Sequence, residues 1–155
     1  KNVIIRDNYA EYAAGGLFVG GNGNALFENV QIINNEAVYG GGIYIDSSRP
    51  LFYKALIADN YASADGGGLC IVYGGHPFMI NATIVNNASG NMGGTMFLFA
   101  WSNADLVNSI FWRTDYGWHA QITFYAEDYM FSESTVSCFY LSQRGPGGIL
   151  TLLFW

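Results

Sequence analysis

Arg113, Asp115 and His119, beside Trp112 and Trp118, put a cation, an acid, an imidazole and two aromatic rings within eight residues. That set suits a sugar pocket, in which carboxyl and imidazole exchange protons and the rings stack on the sugar. A glycosidase also needs two carboxylates about 5 to 10 Å apart. Stacked strands lie about 4.8 Å apart, so Asp59 with Asp65, or Asp105 with Asp128, are further pairs to weigh. Almost any stacked chain with 12 acids offers such pairs, so none of them singles out a site. The plainer reading of residues 112–119 is a loop whose polar groups face water and whose tryptophans cap the core. By the same reasoning His76, before Pro77, is a solvated corner residue.

Other chemistry is poorly provided for. Calcium needs several converging oxygens, and Asp46, Asp59, Asp65, Asp105, Asp115, Glu127 and Asp128 are scattered. Gly20-Gly21-Asn22-Gly23-Asn24 carries no Asp, and Gly40-Gly41-Gly42 has neither a phosphate-loop pattern nor a following helix. Cys70 and Cys138 are 68 residues apart with no CxxC and no nearby His, so neither a disulfide nor metal ligation is expected. No metal and no cofactor is expected. A net charge of −6 argues against nucleic acid, and no apolar run approaches the roughly 20 residues of a membrane-spanning helix. Asn81-Ala82-Thr83 and Asn87-Ala88-Ser89 match glycosylation acceptor triplets.

The elements that would position any site come from a repeat. VQIINNEAVYGGGIYI, ALIADNYASADGGGLCI and ATIVNNASGNMGGTMFL are copies of one pattern. Gly16, Gly42, Gly68 and Gly94 are spaced by 26. Ile5, Ile32, Ile57, Ile84, Ile110 and Val136 form a core column with steps of 27, 25, 27, 26 and 26. Leu26, Leu51, Phe78, Ala104 and Met130 share those irregularities, with steps of 25, 27, 26 and 26. Within each copy, apolar residues alternate with period two and β-branched and aromatic types dominate, which reads as strand. The spacing predicts an all-β parallel solenoid of about six coils of about 26 residues, three short strands per coil, forming a single domain over 1–155. Asn8, Asn35, Asn60 and Asn87 follow the first strand of four copies. They are expected to form a turn ladder, taking the left-handed corner and bonding amide to amide. The glycines are turn and close-packing positions.

Asn35-Glu36-Ala37 followed by Gly40-Gly41-Gly42-Ile43-Tyr44-Ile45 resembles the right-handed parallel β-helix of bacterial surface proteins. It is similar to polymorphic outer-membrane protein repeats and to secreted β-helix proteins of the Bacteroidetes type. Asn108-Ser109-Ile110-Phe111-Trp112, Gln121-Ile122, Ser137 and Gly145-Pro146-Gly147-Gly148 resemble the closing coils of the latter group. Right-handedness is implied by the resemblance, and the fold hosts adhesins, lyases, glycosidases and passive stalks alike. The lyases of the fold use a Lys or Arg base beside calcium-holding carboxylates, and no coil here supplies that cluster.

Alternation places Phe18, Tyr44, Cys70 and Met96 outward as an apolar stripe, which soluble monomers seldom expose. Together with low charge and apolar termini, the stripe points to a fragment of a longer solenoid or a stacked subunit. The expected function is a non-enzymatic secreted or cell-surface structural or adhesive element able to self-assemble into a filament. The partners expected are other copies, other parts of a larger surface protein, or a glycan. The competing expectation is a polysaccharide-active lyase or glycoside hydrolase.

Overall fold

The computed structural model describes residues 1–112 and the strands Ile122–Tyr125 and Thr135–Cys138. All the described strand pairing is parallel. The first coil holds β1 (Val3–Arg6), β2 (Leu17–Val19) and β3 (Leu26–Glu28); the second, β4 (Val30–Ile33), β5 (Glu36–Ala37), β6 (Ile43–Asp46) and β7 (Leu51–Tyr53). The third holds β8 (Leu56–Ala58), β9 (Tyr61–Ala62), β10 (Leu69–Val72) and β11 (Phe78–Ile80); the fourth, β12 (Thr83–Val85), β13 (Ala88–Ser89), β14 (Met96–Phe99) and β15 (Asn103–Val107). β16 (Ile110–Trp112), β17 (Ile122–Tyr125) and β18 (Thr135–Cys138) belong to a fifth coil. Equivalent strands stack in three five-stranded sheets, and β5, β9 and β13 form a narrow fourth ribbon at the asparagine corner that the sequence did not suggest.

Among the described residues the solenoid shows four complete coils and strands of a fifth, where the spacing predicted about six over the whole chain. Val136 shows where the count slipped: it pairs with Ala104 on the third sheet, not with the first-sheet isoleucines. Ile5, Ile32, Ile57 and Ile84 do stack in register, but Phe111 stands next to Ile84, and Ile110 faces outward. The fourth-to-fifth step is 27 residues, and a one-residue slip turns a side chain to the other face of a sheet. The same slip moves the third column from Ala104 to Asp105, opposite Phe78. That column faces outward, and its neighbours Phe52, Met79 and Leu106 are buried in the core. Met130 lies outside the described residues.

One apolar core runs the length of the described coils, fed by all three sheets: Ile32, Ile57 and Ile84, Ile43, Ile45, Leu69 and Ile71, then Phe52 and Met79. Each such side chain contributes roughly 1.5–3 kcal/mol on burial. Glycine fits where coils come closest. A Cβ on Gly67 would run into the Ala88 carbonyl oxygen, and one on Gly41 into that of Tyr61. Gly67→Ala should therefore cost about 1–3 kcal/mol, as overpacking against backbone does. Gly23→Ala should cost little, since its Cβ would come no nearer than 3.4 Å to the Gly20 carbonyl oxygen. Thermal unfolding of the two variants compares them, and equal shifts would mean that the coils are not in close contact at Gly67.

Candidate functional site

The asparagine corner is the most highly organised polar feature of the described coils. Asn35, Asn60 and Asn87 are buried. Each Nδ2 donates to the next Oδ1: Asn8 to Asn35 at 2.9 Å, Asn35 to Asn60 at 3.0 Å, Asn60 to Asn87 at 2.9 Å. The backbone N–H of Asn8, Asn35 and Asn60 donates to that same oxygen. The second Nδ2 proton of Asn35 and of Asn60, and one Nδ2 proton of Asn87, goes back to the carbonyl of Ile5, Ile32 and Ile57 respectively. A glycine makes room for each amide: a Cβ on Gly42 would lie 3.0 Å from Asn60, and one on Gly68 3.1 Å from Asn87. Gly16, Gly42 and Gly68 share this column, but Thr95 occupies its next place and Gly94 falls beside Gly67.

The ladder asparagines do not take the left-handed turn expected of them. Positive φ belongs to the residues just before, Asp7, Asn34, Asp59 and Asn86, at 59°, 53°, 56° and 54°. A second left-handed column, Asn2, Asn29, Lys54, Asn81 and Asn108, opens the first-sheet strands. It bonds amide to amide at Asn29–Asn2 and Asn108–Asn81. Lys54 interrupts the asparagine series, which is why the repeat hid it. Asn87, fully buried in its ladder, has no amide to offer a glycan, while Asn81 is only partly buried.

Outside the ladder the corner opens into a cleft of about 250 Å³. Tyr9, Glu36 and Tyr61 follow one another in register on successive coils along one wall. Asp7, Asn34 and Asp59 line the other, with Asn34 Nδ2 donating to Asp7 Oδ1 at 2.7 Å. Both tyrosines are exposed, Tyr9 at 70% and Tyr61 at 42%.

A second grouping lies on the third sheet. His76 is not a free corner residue: its Nε2 is 2.8 Å from Asp105 Oδ2, with the two side chains 30% and 34% exposed. Asp105 holds the imidazole in one orientation, as a carboxylate beside a working histidine does. The other acid pairs fare differently. Asp65 is buried and accepts from the Met92 N–H and Asn91 Nδ2, while Asp59 stands in the left-handed column, so the two do not face each other. Arg113, Asp115, His119, Trp118 and Asp128 lie outside the described residues. Among the described residues, no group of three or more His, Cys, Asp or Glu is placed to hold a metal ion.

The outward stripe also differs from expectation. Phe97, not Met96, stands next to Cys70 in register, and Met96 is in the core. Phe18 stacks on Tyr44 at 5.9 Å and is 59% exposed, but Cys70 is 1% exposed. Tyr39, Tyr44, Met92 and Phe99 pack around Cys70, Val72 and Phe97, giving a second apolar cluster outside the second sheet. Burial pushes the Cys70 thiol well above its ordinary range, helped by Asp65, and the Tyr44 hydroxyl is raised for the same first reason. Since the thiolate is the nucleophile, alkylation of Cys70 in the native protein at pH 8 should be slow and should appear only on unfolding. Peptide mapping of the modified cysteine checks this, and fast native labelling would contradict the burial.

Three parallel sheets joined by in-register corners, with buried amides bonding coil to coil, define a parallel β-solenoid. Residues 1–124 match the family described as right-handed β-helix region, and the chain belongs to that family. No curated protein and no solved structure matches it. Among the described residues no helix is long and apolar enough to cross a membrane.

Proposed function

We propose that the chain serves as a non-enzymatic structural and adhesive β-helical element of a secreted or cell-surface protein, able to associate with further copies or with other parts of a larger assembly. The observation that carries this reading is where the buried polar groups go. Asn35 and Asn60 spend both amide hydrogens and the amide oxygen on neighbouring coils, and buried Asn87 spends its oxygen and one amide hydrogen in the same way. Such a ladder stiffens a rod. Outside it, exposed rings at Tyr9, Tyr12, Phe18, Tyr73 and Trp101 offer contact area without charge, the composition that contact surfaces favour.

A panel of polysaccharides scored for both binding and cleavage, together with sedimentation of the intact chain, tests the proposal. It expects retention or self-association without depolymerisation. Cleavage of any polymer, abolished by Asp115→Ala or His119→Ala, would establish the competing polysaccharide-active enzyme. The His76–Asp105 pair favours that second reading, and cleavage lost in His76→Ala would place the chemistry on the third sheet.

A further inference from the structure

We propose that Asn22–Gly23, at the exposed corner of the first coil, is a site of spontaneous, non-enzymatic deamidation that the second coil holds shut, whichever role the rod serves. Asn22 is the only Asn in the chain followed by Gly. Gly, lacking a Cβ, offers the least hindered backbone nitrogen for attack on the preceding side chain. Gly21 and Asn22 take left-handed φ values of 72° and 60° at the tip of the corner. Both are exposed, and a Cβ on Gly21 would meet nothing within 4 Å. The Asn22 side-chain amide has no hydrogen-bond partner among the described residues. Gly23, by contrast, is held on both sides. Its N–H donates to Ser48 Oγ at 3.2 Å, and its carbonyl accepts from the Arg49 N–H at 3.1 Å. Ser48 is fully buried and gives its own proton to the Asp46 carbonyl at 2.9 Å, which leaves its oxygen to accept from Gly23.

The reaction balances with water alone. The Gly23 nitrogen attacks Asn22 Cγ and passes its proton, through solvent, to the departing amide. A C–N bond forms, the Cγ–Nδ2 bond breaks and ammonia leaves. Water then opens the cyclic imide at either carbonyl, giving aspartate at position 22 or, with the backbone rerouted through the side chain, isoaspartate. The attack needs a free Gly23 N–H, so the bond to Ser48 must open first, as a protected amide must before it exchanges. Isoaspartate lengthens the corner by one backbone carbon, so Gly23 cannot recover both of its bonds. The modification is therefore a permanent mark of a first coil that has lifted from the second.

Incubation of the intact chain in mildly alkaline buffer, native and in guanidinium chloride, gives the two rates by peptide mapping that separates the Asn, aspartate and isoaspartate forms. Asn22 should convert at least about tenfold more slowly in the native chain, because only the fraction with an opened corner reacts. Ser48→Ala should speed the native reaction about five- to tenfold, the worth of one hydrogen bond, and leave the unfolded rate unchanged. Gly23→Ala should silence the site in both states, since the added methyl hinders the attacking nitrogen. Labelling of Cys70 in the same samples reports opening of the whole chain and should stay slow in Ser48→Ala. If that variant instead exposes Cys70, the comparison of native and unfolded rates in the unaltered chain decides alone. Equal native and unfolded rates, continued conversion in Gly23→Ala, or an unchanged rate in Ser48→Ala with Cys70 still protected would overturn the proposal. None of these results bears on self-association or on polymer cleavage, so this proposal and the functional reading fail separately.

Discussion

Ile57→Asp is expected to unfold the chain at neutral pH, whereas Gln31→Asp on the same sheet should shift its stability by no more than about 0.5 kcal/mol. Ile57 is fully buried between its register partners Ile32 and Ile84. Losing it forfeits roughly 1.5–3 kcal/mol of burial, and a carboxylate in its place finds no partner in the apolar column, which costs several kcal/mol more. A domain of this size has only about 5–15 kcal/mol to lose. Gln31 precedes Ile32 on β4, points to the opposite face and is only partly buried. Denaturant unfolding followed by circular dichroism compares the two variants. Similar losses from both would mean that inside and outside have been assigned wrongly.

Asn60→Ala should lower stability by about 3–6 kcal/mol, and Asn8→Ala by about 1 kcal/mol. Asn60 is buried mid-ladder. Its Oδ1 accepts from the backbone N–H and the Nδ2 of Asn35, and its Nδ2 donates to Ile32 and Asn87. Truncation strands two buried donors on Asn35 and one carbonyl, each costing about 1–3 kcal/mol. Asn8 gives the same bonds in one direction only, and from an exposed position where water can replace them. The ratio between the two variants is the informative quantity. Comparable small effects would reduce the ladder to an ornament of the corner and remove the main support for a stiff rod.

The four central coils were legible in the sequence because each position repeats its residue type. Ile5, Ile32, Ile57 and Ile84 are one residue type at one register position, so spacing alone aligns them. Legibility fails where spacing and type disagree. Ile110 preserves the type but sits one residue short of the register that Phe111 fills, and Met96 and Gly94 err by the same single step. Coils tolerate one-residue insertions in their corners, and only hydrogen bonding between coils reveals which corner took them.

The candidate sites were harder for the same reason. Tyr9, Glu36 and Tyr61 each follow a ladder asparagine, but Glu36 breaks the residue type of the column, so the repeat did not present them as one feature and register assembles the cleft. His76 and Asp105 are 29 residues apart, diagonal across adjacent coils and off the repeat spacing. The asparagine ladder was visible as a column, yet its division of labour was not. The left-handed turn falls to Asp7, Asn34, Asp59 and Asn86, whose short side chains tolerate it as well, leaving the ladder amides free to turn inward.

Methyl cross-relaxation in a sample labelled at isoleucine addresses the stacking most directly. Contacts joining Ile32 to Ile57 and Ile57 to Ile84, with none skipping a coil, are what vertical parallel rows require. Strong Hα–Hα cross-peaks between those same segments, the mark of antiparallel neighbours about 4.5 Å apart at Cα, would contradict it.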